Sequence, residues 1–122
     1  MTITEFLLAR IAEDEDRAKR AGFGYGSVWQ VEVDSAEDWA TVHADGRRDM
    51  VGCEDGDVSD HIARHDPARV LAECESKRRI VVRLQMSRML PVQIGDHAAE
   101  AILRALALPH ADHPDYDEAW RP

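Results

Sequence analysis

A chain of 122 residues with 44% hydrophobic content holds enough apolar material for one modest core and too little for two, so a single domain over residues 1–122 is expected. Its net charge of −9 argues against nucleic acid as a partner, because binding to a phosphate backbone is driven by counterion release at a concentrated basic surface. No apolar run approaches the ~18 residues of a membrane span, no basic start precedes an apolar stretch as in an export signal, and Cys53 and Cys74 form no CxxC pair, so the expectation is a cytoplasmic protein with two reduced thiols, no membrane contact and no cofactor.

Thr2 and Glu5 have capping-box spacing, with Thr4 a competing cap, and Ile3, Phe6, Leu7 and Ile11 recur at helical intervals until Gly22 offers a stop. A first helix over residues 3–21 follows. Its run Glu13-Asp14-Glu15-Asp16-Arg17 reads as a solvated face with internal charge pairs. The stretch GFGYG from Gly22 to Gly26 lacks the spacing and the following helix of a phosphate-cradling loop, and reads as a flexible connection. Val28 to Val33 alternates Trp29, Val31 and Val33 against Gln30 and Glu32, and a second run, Trp39 to Ala44, follows the turn-like segment from Asp34 to Asp38. Asp45-Gly46, a favoured hairpin pair, precedes a third run from Arg47 to Cys53. These predict a three-stranded antiparallel meander with one face resting on a helix.

After the acidic loop Glu54-Asp55-Gly56-Asp57, Val58 to Arg64 fits a short helical turn. Asp66-Pro67 is the clearest helix start in the chain: aspartate caps exposed amides, and proline at the first helical position loses no needed donor. Val70, Leu71, Cys74, Val81 and Leu84 fall on one broad face, with Glu73/Lys77 and Glu75/Arg79 spaced as i,i+4 pairs. Ile80 to Met86 also alternates and starts β-branched, so strand competes there with continued helix, the reading adopted, and Pro91 ends the segment either way. Asp96 is expected to cap a last helix, from His97 to about Leu108, with Ala98, Ala101, Ile102, Ala105 and Leu106 as its apolar stripe. The tail from His110 to Pro122 includes Tyr116 and Trp120, aromatics expected to dock against the body. The fold class is α+β: an N-terminal helix, the meander, then two or three helices with the aromatic tail packed back.

Three stretches, TITEFLLARIAEDE, HIARHDPARVLAECESKRRIV and LRALALPHADHPDYDEAWRP, resemble a family of small uncharacterised actinobacterial and actinophage proteins classed as a domain of unknown function. The shared wording is HxxRHDPxRVLxExxxKRRI and ADHPDYxxxWRP. The resemblance implies kinship and carries over no activity or catalytic residue. It also implies a cysteine pair between the basic helix and the C-terminal motif, which RLQMSRMLPVQIGDHAAEA lacks, so a thiolate metal site does not transfer.

His61 and His65 are spaced i,i+4, so on a helix both imidazoles face one way, with His110 and His113 as further donors for a metal; no HExxH glutamate accompanies them. Asp55, Asp57 and Ser59 imitate a calcium loop, but Asp60 stands where glycine and Asp66 where glutamate is diagnostic. There is no GxSxG and no P-loop, and Cys74 falls on an apolar face, so no catalytic residue is assigned. Arg69, Arg79 and Arg83 project near one another on a helical wheel, as an anion or acidic-peptide stripe or as the internal partner of the acidic segment. Residues 27–66 hold 11 acidic and three basic side chains, whereas residues 67–91 hold six basic and two acidic. The candidate binding residues are therefore His61, His65, Asp66, Arg69, Arg79, Arg83, Asp112, His113, Tyr116 and Trp120.

These features point to a non-enzymatic interaction or accessory protein, phage-associated, with an unidentified protein partner at an acidic sheet-side surface and with self-association left open. A rival reading is a metal or small-molecule site near the Asp66-Pro67 start. A third is an acidic mimic of nucleic acid that inhibits a host defence protein, which predicts a continuous exposed band of carboxylates over residues 32–60.

Overall fold

The computed structural model describes the chain except residues 25, 37, 38, 45, 46, 54, 55 and 92, and describes residues 47–51, 53 and 88 by their backbone alone. Among the described residues, four α-helices and three strands follow in the order α1 (Ile3–Gly22), β1 (Trp29–Asp34), β2 (Trp39–Ala44), β3 (Arg47–Cys53), α2 (Gly56–Arg64), α3 (Pro67–Met86) and α4 (Asp96–Ala107). The expected Asp45-Gly46 turn, and Asp55 of the calcium-like loop, lie outside the described residues. By its contacts the chain divides into two compact units, one of Asp14–Glu73 and one of Met1–Glu13 with Cys74–Pro122. The division falls inside α1 and inside α3.

The start of α1 is a reciprocal capping box. The Thr2 amide donates to Glu5 Oε2 at 2.7 Å, and the Glu5 amide donates to Thr2 Oγ1 at 3.2 Å. Thr2, not Thr4, is the cap. Hydrogen bonds from the Thr2 amide and then the Thr2 hydroxyl hold the Glu5 carboxyl below its ordinary value. At the other end the helix stops at Gly22, as expected, and left-handed backbone follows at Gly24 (φ 79°) and Gly26 (φ 97°).

In the unit of Asp14–Glu73 the sheet has the order β1-β2-β3, with both neighbouring pairs antiparallel. Along β2 the side chains alternate: Ala40, Val42 and Ala44 are buried, and Trp39 is exposed. Helix α2 lies against the sheet and touches all three strands, which gives the buried set its cover. It is longer than the turn expected from Val58, and Asp57 in its first turn complements the helix dipole. Val33, at the end of the edge strand β1, is exposed, so the alternation read in β1 does not translate into burial there.

Asp66 performs the predicted cap and one further task. Its Oδ1 accepts the Arg69 amide of α3 at 2.9 Å, and its Oδ2 accepts the Trp29 amide of β1 at 3.1 Å. The Ala68 amide donates to Ser27 O at 2.9 Å. Two bonds thus tie the first turn of α3 to the entry of β1, and the Trp29 indole N–H donates to Gly26 O at 3.0 Å within the same corner.

In the other unit α3 stays helical to Met86 and ends in a 3₁₀ turn, Ser87–Met89. Burial of Val81 and Leu84 at helical spacing outweighs the strand preference of Ile80 to Val82. Two expectations for α4 are corrected. Gly95 takes the N-cap position with no side-chain bond, and Asp96 stands inside the first turn. Ala98, Ala101, Ile102 and Ala105 are exposed, whereas Ala107 is buried and Ala99, Leu103 and Leu106 are partly covered. Alanines populate both faces, and burying Leu103 removes more apolar surface than burying an alanine, which sets the rotation.

Replacing Asp66 by alanine should cost about 0.5–2 kcal/mol in urea unfolding, the range of a lost cap, while asparagine should recover part of it. Because the Glu5 carboxyl is depressed in the folded chain, its contribution is complete above the ordinary carboxylate range and lost as the pH falls through its lowered value. Helix content by circular dichroism should therefore fall on acidification from pH ~5 to ~3 by less in Glu5→Gln than in the unaltered chain.

Candidate functional site

Strand pairing sets Glu32 opposite Thr41, Asp34 opposite Trp39 and Gln30 opposite His43. These six side chains share the sheet face opposite the one that buries Ala40, Val42 and Ala44. Trp39 lies across Gly52, where any Cβ would collide with its indole, so glycine creates the bed for the ring. Glu32, Val33, Asp34, Ser35, Trp39, Thr41 and His43 line an open groove of about 320 Å³. Asp34 Oδ1 accepts the Ala36 amide at 3.0 Å and so fixes the turn at the rim. His43 Nδ1 is enclosed without a hydrogen-bond partner among the described residues. The face combines an exposed indole, carboxylates at its edge and an imidazole below them.

Of the residues singled out in the sequence, Asp66 is the cap described above. His61 and His65 do meet, their ring centroids 4.4 Å apart, and His65 Nδ1 donates to His61 O at 2.8 Å. They supply two donors, and among the described residues no group of three or more His, Cys, Asp or Glu has metal-binding geometry. Arg69 pairs with Glu73 at 2.8 Å and Arg79 with Glu75, so these two find partners one turn away on α3 itself. Arg83 is exposed, as is Asp112.

His113, Tyr116 and Trp120 converge on Phe6, the fully buried ring of α1. Ring centroids stand 5.7, 5.9 and 5.1 Å from Phe6 for His113, Tyr116 and Trp120, with His110 at 6.3 Å. Edge-to-face and tilted contacts of this kind stabilise beyond simple area burial. Arg10, one turn on from Phe6, places its guanidinium 5.3 Å from the Phe6 centroid, donates to Glu13 Oε1 at 2.8 Å and contacts both ring nitrogens of His113. The Asp115 amide donates to His113 Nδ1 at 3.1 Å. Arg10 is 7% exposed, and a buried charge persists only when it is held by partners. At the end of the tail a two-bond pair with Arg121 holds the Glu118 carboxyl below its ordinary value and raises that of Arg121. Together these contacts close a clasp of His113, Tyr116 and Trp120 on the first turns of α1.

A family model described as a family of unknown function (DUF6221) matches residues 1–122. The chain belongs to that family. Neither the curated proteins nor the solved structures give a match. In this DUF6221 chain the ADHPDYxxxWRP stretch supplies the clasp, and HDPxR supplies the capped start of α3.

Sequence reasoning passed over Trp39, Gly52, Phe6 and Arg10 as a set. The signal for Trp39 was an inverted strand: its small residues, Ala40 and Ala44, face inward and its largest faces out. For Arg10 it was a charge one turn from Phe6 on the apolar face of α1.

Phe6→Ala should cost about 3–5 kcal/mol, the range for a buried aromatic. It should also abolish most of the near-ultraviolet circular dichroism from Tyr116 and Trp120, whereas Phe23→Ala, at an exposed ring, should leave both measurements unchanged.

Proposed function

We propose that this chain is a non-enzymatic interaction or accessory protein and that the outward face of its sheet is the contact. The observation that carries the reading is Trp39, 40% exposed and bedded on Gly52 beside Glu32 and Asp34. A large aromatic held rigidly at the surface costs little entropy to use and dominates binding energy where it occurs. An indole flanked by carboxylates favours a partner that presents cationic side chains, through cation–π contact and charge. The net charge of −9 strengthens that preference by steering basic partners toward the surface.

The mimic reading receives less support. Glu32 and Asp34 occupy the outward sheet face, while Asp57 and Asp60 are exposed on α2, which covers the opposite face. The described carboxylates are divided between two sides of the sheet, and a duplex mimic needs them along one.

The test is affinity capture from extract of the native host, with mass spectrometry of the retained proteins. A partner retained by the unaltered chain and by Val58→Ser should be lost with Trp39→Ala and with Glu32→Lys, all variants having the same thermal midpoint within about 2 °C. Retention of the same set by all four proteins would reject the sheet face as the contact.

A further inference from the structure

Helix α3 carries apolar side chains on two faces. Cys74, Val81 and Leu84 are buried, while Val82 and Met86, one turn apart, stay 40% and 49% exposed. At 3.6 residues per turn, Val82 and Met86 lie on an arc bounded by Arg78 on one side and by Arg79 and Arg83 on the other. These five side chains line a depression of about 320 Å³ with an apolar floor. A helix that is apolar on opposite faces is ordinarily covered on both, and an apolar strip rimmed by charge is the form of a contact surface.

We propose that this face of α3 docks an acidic amphipathic helix of a partner protein. The partner's apolar seam rests on Val82 and Met86, and carboxylates flanking that seam meet Arg78, Arg79 and Arg83, the arrangement by which flanking charges select partners in paired helices. The occupant follows from charge complementarity. A second copy using the same face would bring two arginine rows together. A nucleic acid would set its phosphates against the apolar strip, and backbone binding rewards a basic centre instead. Arg79 already pairs with Glu75 on α3, an exposed pair with side chains 78% and 63% accessible. Such pairs contribute little, so exchange for a partner carboxylate is cheap. The surface involves no residue of the sheet face, and the two proposals stand or fall separately.

The probe is a pair of labelled synthetic helices of roughly three heptads, each with a leucine seam, one flanked by glutamates and the other by lysines. They are titrated against the full chain by fluorescence anisotropy. Saturable binding of the glutamate peptide alone is expected. Met86→Ser should weaken it roughly tenfold, and the double change Arg79→Glu with Arg83→Glu should transfer binding to the lysine peptide, with far-ultraviolet circular dichroism unchanged in both variants. Three results would overturn the proposal: no saturable binding of the glutamate peptide, equal binding of both peptides, or tighter binding to phosphatidylserine vesicles than to the glutamate peptide.

Discussion

The carboxylate of Asp66 is the constraint on which the unit of Asp14–Glu73 depends. A carboxylate has acceptor capacity for several donors, and this one divides it between two elements, the first turn of α3 through the Arg69 amide and the entry of β1 through the Trp29 amide. A cap serving only its own helix would leave the Ala68–Ser27 bond as the one remaining of the two that tie the first turn of α3 to the entry of β1. Here the same group that starts the helix sets where the sheet starts, and Pro67, itself buried, sits beside Gly22 at the end of α1. A Cβ at Gly22 would stand 2.9 Å from Ser27 Oγ, so a larger residue there requires the Ser27 side chain to turn. Helix end, strand entry and helix start are thus joined within a few residues of one another.

The second unit closes by different means. Phe6 collects four rings from the C-terminal segment, and Arg10 adds a charged partner to the edge of that cluster. A short segment with two prolines, Pro114 and Pro122, has little capacity for backbone ladders, so tight turns and aromatic packing do the ordering. The Asp117 side chain accepts the Ala119 amide at 2.9 Å and starts the last 3₁₀ turn, which delivers Trp120 to Phe6. The stretch ADHPDYDEAWRP of this chain is accordingly a folding device: His113, Tyr116 and Trp120 are spaced to reach one ring.

Much of this was legible in the residues. The capping box at Thr2, the proline start at Pro67, the i,i+4 pair of Glu75 with Arg79 and the docking of the aromatic tail each follow from local spacing, because a cap, a helical pair and an amphipathic tail are decided within a few residues. The face of α4 was not legible. The expected stripe of Ala98, Ala101, Ile102, Ala105 and Leu106 is by spacing as good as that of Ala99, Leu103 and Leu106, and only the neighbours that the helix meets choose between them. An acidic sheet-side surface was expected, but which residues form the outward face was not legible, for a related reason. Period two says which residues share a face, and says nothing of which face meets a helix.

The sequence by itself determined where the elements lie, the α+β class and the acidic-to-basic change at Asp66, since these depend on backbone propensity, caps and charge order along the chain. Tertiary structure alone decided that the Asp66 carboxylate also holds the Trp29 amide, that Trp39 lies outward on Gly52, that Arg10 is buried against Phe6 and His113, and that the second apolar face of α3 meets solvent. Each of these joins residues far apart in the chain or turns on what covers a surface, and such contacts are set by the packing of whole elements.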